Sequence, residues 1–249
     1  MSEQISAALR NGEAQKALEL AKAQLEQAAD KADAYYWLAL SHQSMGDTHS
    51  ALSAIDQAIA LAPEHNDYAM VRSVMLLGNS DLNAAQSGLM DTLALNPNQL
   101  EAYIGLIHIA LAQRNLPEAQ RLLRMVERID PEQEQVLVAK GSIAQAQGDF
   151  DLALKCFTAA TDGNPNNVLA LSGMGTCYLQ KQMPSFAEQA LKRASELALG
   201  NIGVLRALCQ SQLDLQNFAE AEQTVSRVLA LKPDDLPSLN LRAQLRAQN

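Results

Sequence analysis

The chain has 249 residues, of which 48% are hydrophobic, 19% are charged and 4% are aromatic. Its formal net charge of −9 at pH 7 repels phosphate backbones and anionic lipid headgroups, so we expect neither nucleic acid nor a membrane surface as a partner. Alanine, leucine and glutamine dominate, and no segment has the β-branched and aromatic runs of a strand, so an all-α fold is expected.

The beginning of the chain and its cysteines indicate the compartment. Residues 1–6 are polar and acidic and lack the basic and apolar segments of a secretory signal. Cys156, Cys177 and Cys209 form no CxxC pair and fall on predicted packing faces, so we expect reduced, buried thiols. The sequence therefore predicts a cytoplasmic protein, and its Ala- and Gln-rich composition suggests a bacterial source.

One residue type recurs at a fixed spacing along the chain. Alanine occupies seven positions that are 34 residues apart: Ala17, Ala51, Ala85, Ala119, Ala153, Ala187 and Ala221. In the same register, proline recurs at Pro63, Pro97, Pro131, Pro165 and Pro233, and glycine recurs at Gly12, Gly46 and Gly148. Proline ends one helix and glycine marks a tight turn, so each unit is predicted to be a helix, a turn and a second helix.

In chain order, the predicted units span residues 1–31, 32–65, 66–99, 100–133, 134–167, 168–201 and 202–235, followed by a closing helix at 236–249. We expect them to form a single domain. Apolar residues recur at helical spacing in two windows of each unit, for example at 34–45 and 48–61 in the second. The closing helix is predicted to cap the solenoid with its inward residues, Leu239, Leu241, Ala243 and Leu245.

Two further columns predict how the helices of a unit pack. A mostly small column lies on the first helices, at Ile5, Ala39, Ser73, Ile107, Gly141, Gly175 and Cys209. A mostly bulky column lies on the second helices, at Ala21, Ile55, Leu89, Leu123, Phe157, Leu191 and Val225. We expect the bulky side chains to fill the space that the small ones leave, because helices interlock where side chains are complementary in size.

With these columns in place, the chain resembles the tetratricopeptide repeat proteins. The order of apolar, small and turn residues that is typical of the family is found in residues 32–65, ADAYYWLALSHQSMGDTHSALSAIDQAIALAPEH. Residues 136–167 repeat this order. The resemblance implies a right-handed superhelical solenoid of seven 34-residue helix-turn-helix repeats plus a C-terminal capping helix. It also implies a concave face that is lined by the first helices and binds a protein or peptide partner.

The columns that the resemblance places on this concave face predict a groove. Its floor, in units two to five, is lined by Tyr36, Leu40, Met70, Val74, Ile104, His108 and Val138. Its edge is acidic, at Asp33, Asp67 and Glu101. Exposed apolar surface with a polar rim is typical of a binding site. The alternative is that Tyr36, Met70, Ile104 and Val138 complete the packing between neighbouring first helices.

The composition of this groove predicts the kind of ligand. An extended segment or an amphipathic helix with apolar anchors and some positive charge would fit an apolar floor and an acidic edge. Peptide-binding members of the family hold a terminal carboxylate with lysine and asparagine on successive first helices. The matching positions here are Tyr36, Trp37, Leu40, Asp67 and Val71, so that carboxylate site does not carry over.

Two charged residues interrupt a column that should be buried. Arg72 and Lys140 stand where other units have Leu38, Leu106, Met174 and Leu208. Each charge must extend to solvent or find a partner. Arg72 could pair with Asp67 at the acidic edge and take part in binding, which is the alternative to simple extension into solvent.

The sequence offers no motif for catalysis, and we expect neither a cofactor nor a metal site. Gly173-Met174-Gly175 resembles the start of a dinucleotide fingerprint, but no predicted strand precedes it and its glycines fall in packing columns. The four histidines, His42, His49, His65 and His108, lie on different faces or units and make no metal-binding set. The chain is therefore not expected to be an enzyme.

Three functions remain open after this exclusion. The first is a scaffold or adaptor that holds a partner peptide or helix in the groove. The second is a regulatory or substrate-recruiting module of a larger enzyme, such as a sulfotransferase, hydroxylase or peptidase. The third is an assembly factor for a bacterial pilus, secretion or envelope system. Self-association through the first unit, giving a homo-oligomer, also stays open.

Overall fold

A computed structural model describes residues 1–28, 31–78 and 81–248. These residues form fifteen α-helices: α1 (Ser2–Arg10), α2 (Ala14–Gln27), α3 (Ala32–Ser44), α4 (Thr48–Leu61), α5 (Asn66–Gly78), α6 (Leu82–Leu95), α7 (Leu100–Ala112), α8 (Leu116–Ile129), α9 (Glu134–Gln147), α10 (Phe150–Gly163), α11 (Val168–Gln180), α12 (Pro184–Leu197), α13 (Ile202–Asp214), α14 (Phe218–Leu231) and α15 (Leu236–Gln248). No described residue lies in a strand, so the all-α prediction is confirmed. None of the described helices is long and apolar enough to cross a membrane.

The helices form two compact structural units, each larger than a single repeat: Met1–Gln113 with α1–α7, and Arg114–Asn249 with α8–α15. In both, odd-numbered first helices alternate with even-numbered second helices, and consecutive helices pack against each other. The single domain and the right-handed superhelix stay predictions.

Side-chain caps and left-handed turn residues mark the boundary between the first and second helices of several repeats. The side chains of Asp47, Asp81, Asn115 and Asp149 each accept a hydrogen bond from a backbone N–H three residues later, in the first turn of a second helix. Such caps satisfy donors that the helix itself leaves unpaired. The turn between first and second helices is left-handed at the glycine column, with φ of 82° at Gly148, and Gln182 takes the same conformation at 58°.

The alanine column is the most completely buried feature of the core. All seven alanines have 0% exposure. The bulky column packs beside it: Ile55, Leu89, Leu191 and Val225 are also at 0%, while Leu123 is half-buried. The predicted size complementarity is present, since a Cβ added to Gly141 would lie 2.7 Å from Cε1 of Phe157. Small and large residues therefore set the approach of the two helices in a unit.

The closing helix differs in part from its prediction. Leu245 is buried and Leu239 and Leu241 are half-buried, but Ala243 is exposed. Ser238, seven residues before Leu245 and on the same face of the helix, is also buried. It donates to the carboxylate of Asp235 through both its Oγ (2.6 Å) and its backbone N–H (3.1 Å). These hydrogen bonds hold the pKa of Asp235 below its ordinary value. Asn249, the last residue of the predicted cap, lies outside the described residues.

Candidate functional site

The predicted groove residues of the Met1–Gln113 unit lie on the first helices α3, α5 and α7. Val74 is 51% exposed, and Tyr36, Leu40 and Met70 are half-buried. Tyr36 and Leu40 also pack against the buried cluster around Ile55 and Tyr68. This part of the floor therefore has accessible apolar surface at Val74, and its side chains Tyr36 and Leu40 are held in place by the core beneath them.

Two predicted floor residues belong to the core instead. Ile104 on α7 is 9% exposed, and Val138 on α9 in the other unit is 5% exposed. Val138 packs in a buried cluster with Phe157 and Ala170. The side chains of Ile104 and Val138 therefore leave almost no surface for a ligand.

The three acidic edge residues are exposed, as a binding edge requires. The carboxylate of Asp33 accepts a hydrogen bond from the hydroxyl of Tyr68 on the next first helix. Asp67 lies 4.0 Å from the imidazole of His65, and Glu101 accepts a hydrogen bond from Gln99 at 3.1 Å. No described lysine or arginine forms an ion pair with Asp33 or Asp67.

The predicted pairing of Arg72 with Asp67 is wrong. Arg72 Nε donates instead to Asp56 Oδ1 at 2.6 Å, on the preceding second helix α4. Arg72 lies five positions after Asp67, which puts the two residues on different faces of α5, since a helix turns once in about 3.6 residues. Lys140 behaves in the same way and pairs with Glu127 on α8 at 2.7 Å. Both charges thus reach out of an apolar column to a partner near the surface.

Aromatic side chains cluster between α3 and α5, which the column pattern of the sequence did not predict. The ring of Tyr36 lies 5.2 Å from that of Trp37, edge to face, and 5.3 Å from that of Tyr68. His65 stacks on Tyr68 at 4.1 Å. Burial raises the pKa of the Tyr36 hydroxyl, and so does the negative charge of Asp67 and Asp33. The aromatic rings and two of the edge carboxylates therefore form one group.

His108 is exposed on α7 and belongs to the predicted floor. Although the residue is exposed, protein atoms surround part of its imidazole, and the loss of solvent there lowers the pKa of the ring below its ordinary value. This shift favours the neutral form of the imidazole.

Comparison with known proteins identifies the repeat. A family model described as "Tetratricopeptide repeat" matches residues 76–143 and 144–200, which is just over half of the chain, and a second tetratricopeptide repeat model matches residues 32–65. The chain belongs to the tetratricopeptide repeat family.

Individual relatives of this tetratricopeptide repeat chain are longer proteins. It is 32% identical to the Protein CTR9 homolog of Arabidopsis thaliana over 49% of this chain and 11% of that protein. It is 22% identical to the Peroxisomal targeting signal receptor of Kluyveromyces lactis over 80% of this chain and 36% of the receptor. The chain thus spans about a tenth to a third of the length of these relatives.

Among solved structures, the APC/C hetero-tetramer Cut9-Hcn1 is similar, with a TM-score of 0.81 and 16% identity over 97% of this chain and 48% of that one. At this level of identity the likeness supports the tetratricopeptide repeat fold alone.

The described residues of this tetratricopeptide repeat chain contain no group of three or more His, Cys, Asp or Glu side chains that could hold a metal ion. The three cysteines are free and buried, as predicted. Burial raises the pKa of the Cys177 and Cys209 thiols to about 11, and it also raises that of Cys156. Cys209 lies in the small column and donates to the backbone oxygen of Ala221 at 3.6 Å.

We expect these three thiols to be unreactive in the folded protein, because the thiolate is the nucleophile and burial disfavours it. Treatment with Ellman's reagent at neutral pH should release almost no chromophore from the native chain, and three equivalents after unfolding in guanidinium chloride. Rapid reaction of any thiol in the native chain would contradict this prediction.

Proposed function

We propose that this chain is a protein-interaction module that binds a partner segment with apolar anchors and positive charge. The segment would lie against the first-helix face of the Met1–Gln113 unit, formed by α3, α5 and α7. The observation that carries the proposal is Val74 on α5, which is 51% exposed and lies one and two helical turns after the half-buried Met70 and the exposed Asp67 on the same face. An apolar side chain gains most from a partner where it is already fixed on a rigid helix and still open to water.

Charge complementarity supports the choice of partner. The chain as a whole carries a net charge of −9, and Asp33, Asp67 and Glu101 stand on the same face as Val74. A segment with lysine or arginine would be attracted to this face, and an acidic segment would be repelled. Apolar anchors on the segment would cover Val74 and the half-buried Leu40 and Met70.

The known proteins give independent support for the class of function. One relative is a Peroxisomal targeting signal receptor. Its name describes the binding of a targeting signal. We further propose that the chain works in the cytoplasm of a bacterium, where its three buried free cysteines would remain reduced.

A displayed library of random peptides provides the test, since it selects ligands without a known partner. Peptides selected on the wild-type chain are expected to carry apolar residues together with arginine or lysine. Their affinity, measured by fluorescence anisotropy, should fall by about tenfold or more in Val74→Glu, because a carboxylate would be buried against the apolar anchors.

Leu95→Glu is the matched control, because Leu95 is 61% exposed at the end of the second helix α6. This variant should bind the selected peptides within about twofold of wild type, and circular dichroism should show both variants folded. Equal losses in Val74→Glu and Leu95→Glu, or a library that yields acidic peptides, would overturn the proposal. A dimer that forms with rising concentration and disappears in Val74→Glu would also overturn it, with a second copy of the chain as the occupant.

A further inference from the structure

We infer that the aromatic and acidic group between α3 and α5 is the seat of an arginine side chain from the bound segment. We call this group the arginine seat and define it by Asp33, Tyr36, Trp37, Asp67 and Tyr68. The inference rests on the proposed function and extends it by naming the chemistry that would fix the position of the segment on the face.

The geometry brings ring surface and negative charge to one place. The Tyr36 ring is the centre of the group, 5.2 Å from Trp37 and 5.3 Å from Tyr68. Asp33 is tied to the seat by the hydrogen bond from the Tyr68 hydroxyl, and both Asp33 and Asp67 act electrostatically on the Tyr36 hydroxyl. Tyr36 and Trp37 are half-buried, so part of their surface stays open to solvent.

Among the described residues of Met1–Gln113, no lysine or arginine forms an ion pair with Asp33 or Asp67 of the seat. Lys16 and Arg72 are engaged with Glu13 and Asp56, and Lys31, at the start of α3, forms no ion pair among the described residues. His65 stacks on Tyr68 and lies 4.0 Å from Asp67, so it borders the seat. A cation supplied by a partner would therefore meet two carboxylates that pair with no described lysine or arginine.

Arginine fits this arrangement better than lysine. Its guanidinium is planar and weakly hydrated, so it can stack on an aromatic ring while its N–H groups donate to carboxylates on either side. A lysine ammonium is compact and strongly hydrated and would lose more hydration for the same ring contact. Asp67 is the freer of the two acceptors, because its side chain is 71% exposed whereas Asp33 already binds Tyr68.

A small probe tests the seat without the peptide. Trp37 is the single tryptophan of the chain, and its indole lies edge to face against Tyr36, so its fluorescence reports on the seat. We expect acetyl-arginine amide to change the Trp37 emission saturably, with a dissociation constant in about the millimolar range. Acetyl-citrulline amide, which has nearly the same shape without the charge, should change it at least about threefold less at equal concentration and ionic strength.

Variants separate the parts of the seat. Asp67→Asn should weaken binding of acetyl-arginine amide by about threefold, whereas Asp91→Asn, the same change at an exposed position on α6, should leave it within error. Tyr36→Phe keeps the ring and should bind like wild type, while Tyr36→Leu should lose the response. If Tyr36→Leu does not fold, the two aspartate variants still decide the matter.

Equal responses to the arginine and citrulline probes, or equal effects of Asp67→Asn and Asp91→Asn, would overturn the arginine seat. The proposed function is tested separately. If acetyl-arginine amide gives no specific Trp37 response but the selected peptides still lose affinity in Val74→Glu, the seat is wrong and the proposed function stands. Loss of both results would remove the function and the seat together.

Discussion

Replacing Phe157 with alanine should lower the free energy of unfolding by about 3–5 kcal/mol, the range found when a buried phenylalanine is truncated in a packed core. Phe157 is 1% exposed on α10 and is the largest of the fully buried side chains. Its ring fits between two helices that carry glycine at the points of contact. A Cβ added to Gly173 on α11 would lie 2.5 Å from Cε2 of the ring, and one added to Gly141 on α9 would lie 2.7 Å from Cε1. Since both backbones are held apart by the ring, truncation would leave a cavity between three helices.

Urea denaturation followed by circular dichroism measures this loss, with the denaturant slope checked against wild type. Phe186→Ala is the control, because Phe186 is 52% exposed on α12 and contacts Tyr178 at a ring distance of 5.4 Å. Its loss should be about 1 kcal/mol or less. Similar losses in the two variants would show that the Phe157 ring does not organise the packing of α9, α10 and α11.

The packing of the repeat could be predicted from the sequence because one kind of position recurs in every unit. Ala153 is placed by a period of 34 residues and is at 0% exposure, like the six other alanines of its column. Asp149 lies a multiple of 34 residues after the caps Asp47 and Asp81, and its side chain accepts from the N–H of Leu152 at 3.0 Å. Periodicity reports such features reliably, because the same geometry is imposed on each unit by its neighbours.

The face of the first helices could be predicted less well, because residues of one column meet different surroundings. Tyr36 and Met70 are half-buried while Ile104, in the same column, is buried. Contacts that a long side chain makes along its length are also not evident from its position in a column. Tyr68 sits in a buried position, yet its hydroxyl reaches Asp33 on the previous first helix. Comparing aromatic and acidic residues 32 to 35 positions apart, such as Tyr36 with Tyr68, would have found this group.

Charged residues in buried columns show the same limit. The sequence indicated that Arg72 needs a partner, but the choice between Asp67 and Asp56 depends on the direction of the side chain. Asp67 lies on the same helix at the wrong angle, and Asp56 lies across the interface with α4. The angle between two residues on one helix follows from their spacing in the sequence, and this angle excludes Asp67 as the partner of Arg72. The neighbour across the interface requires the packing of the two helices to be known.

A double-mutant cycle of Gly175→Ala and Leu191→Ala tests whether the small and bulky columns are complementary in size. Leu191→Ala alone should cost about 2–5 kcal/mol, because Leu191 is at 0% exposure on α12. Gly175→Ala alone should cost about 1–3 kcal/mol, because a Cβ on Gly175 would overlap Cγ of Leu191. In the double variant the new methyl group occupies space that the leucine has left. The combined cost should therefore fall short of the sum by about 0.5 kcal/mol or more.

Gly163→Ala provides the matched second cycle, because no atom lies within 4 Å of a Cβ placed on Gly163 at the end of α10. Alone it should be neutral or slightly stabilising, since alanine favours the helix over glycine by up to about 1 kcal/mol. Combined with Leu191→Ala it should be additive. Additivity in both cycles would mean that Leu191 relaxes freely around a methyl group, and that glycine in the small column does not set the distance between α11 and α12.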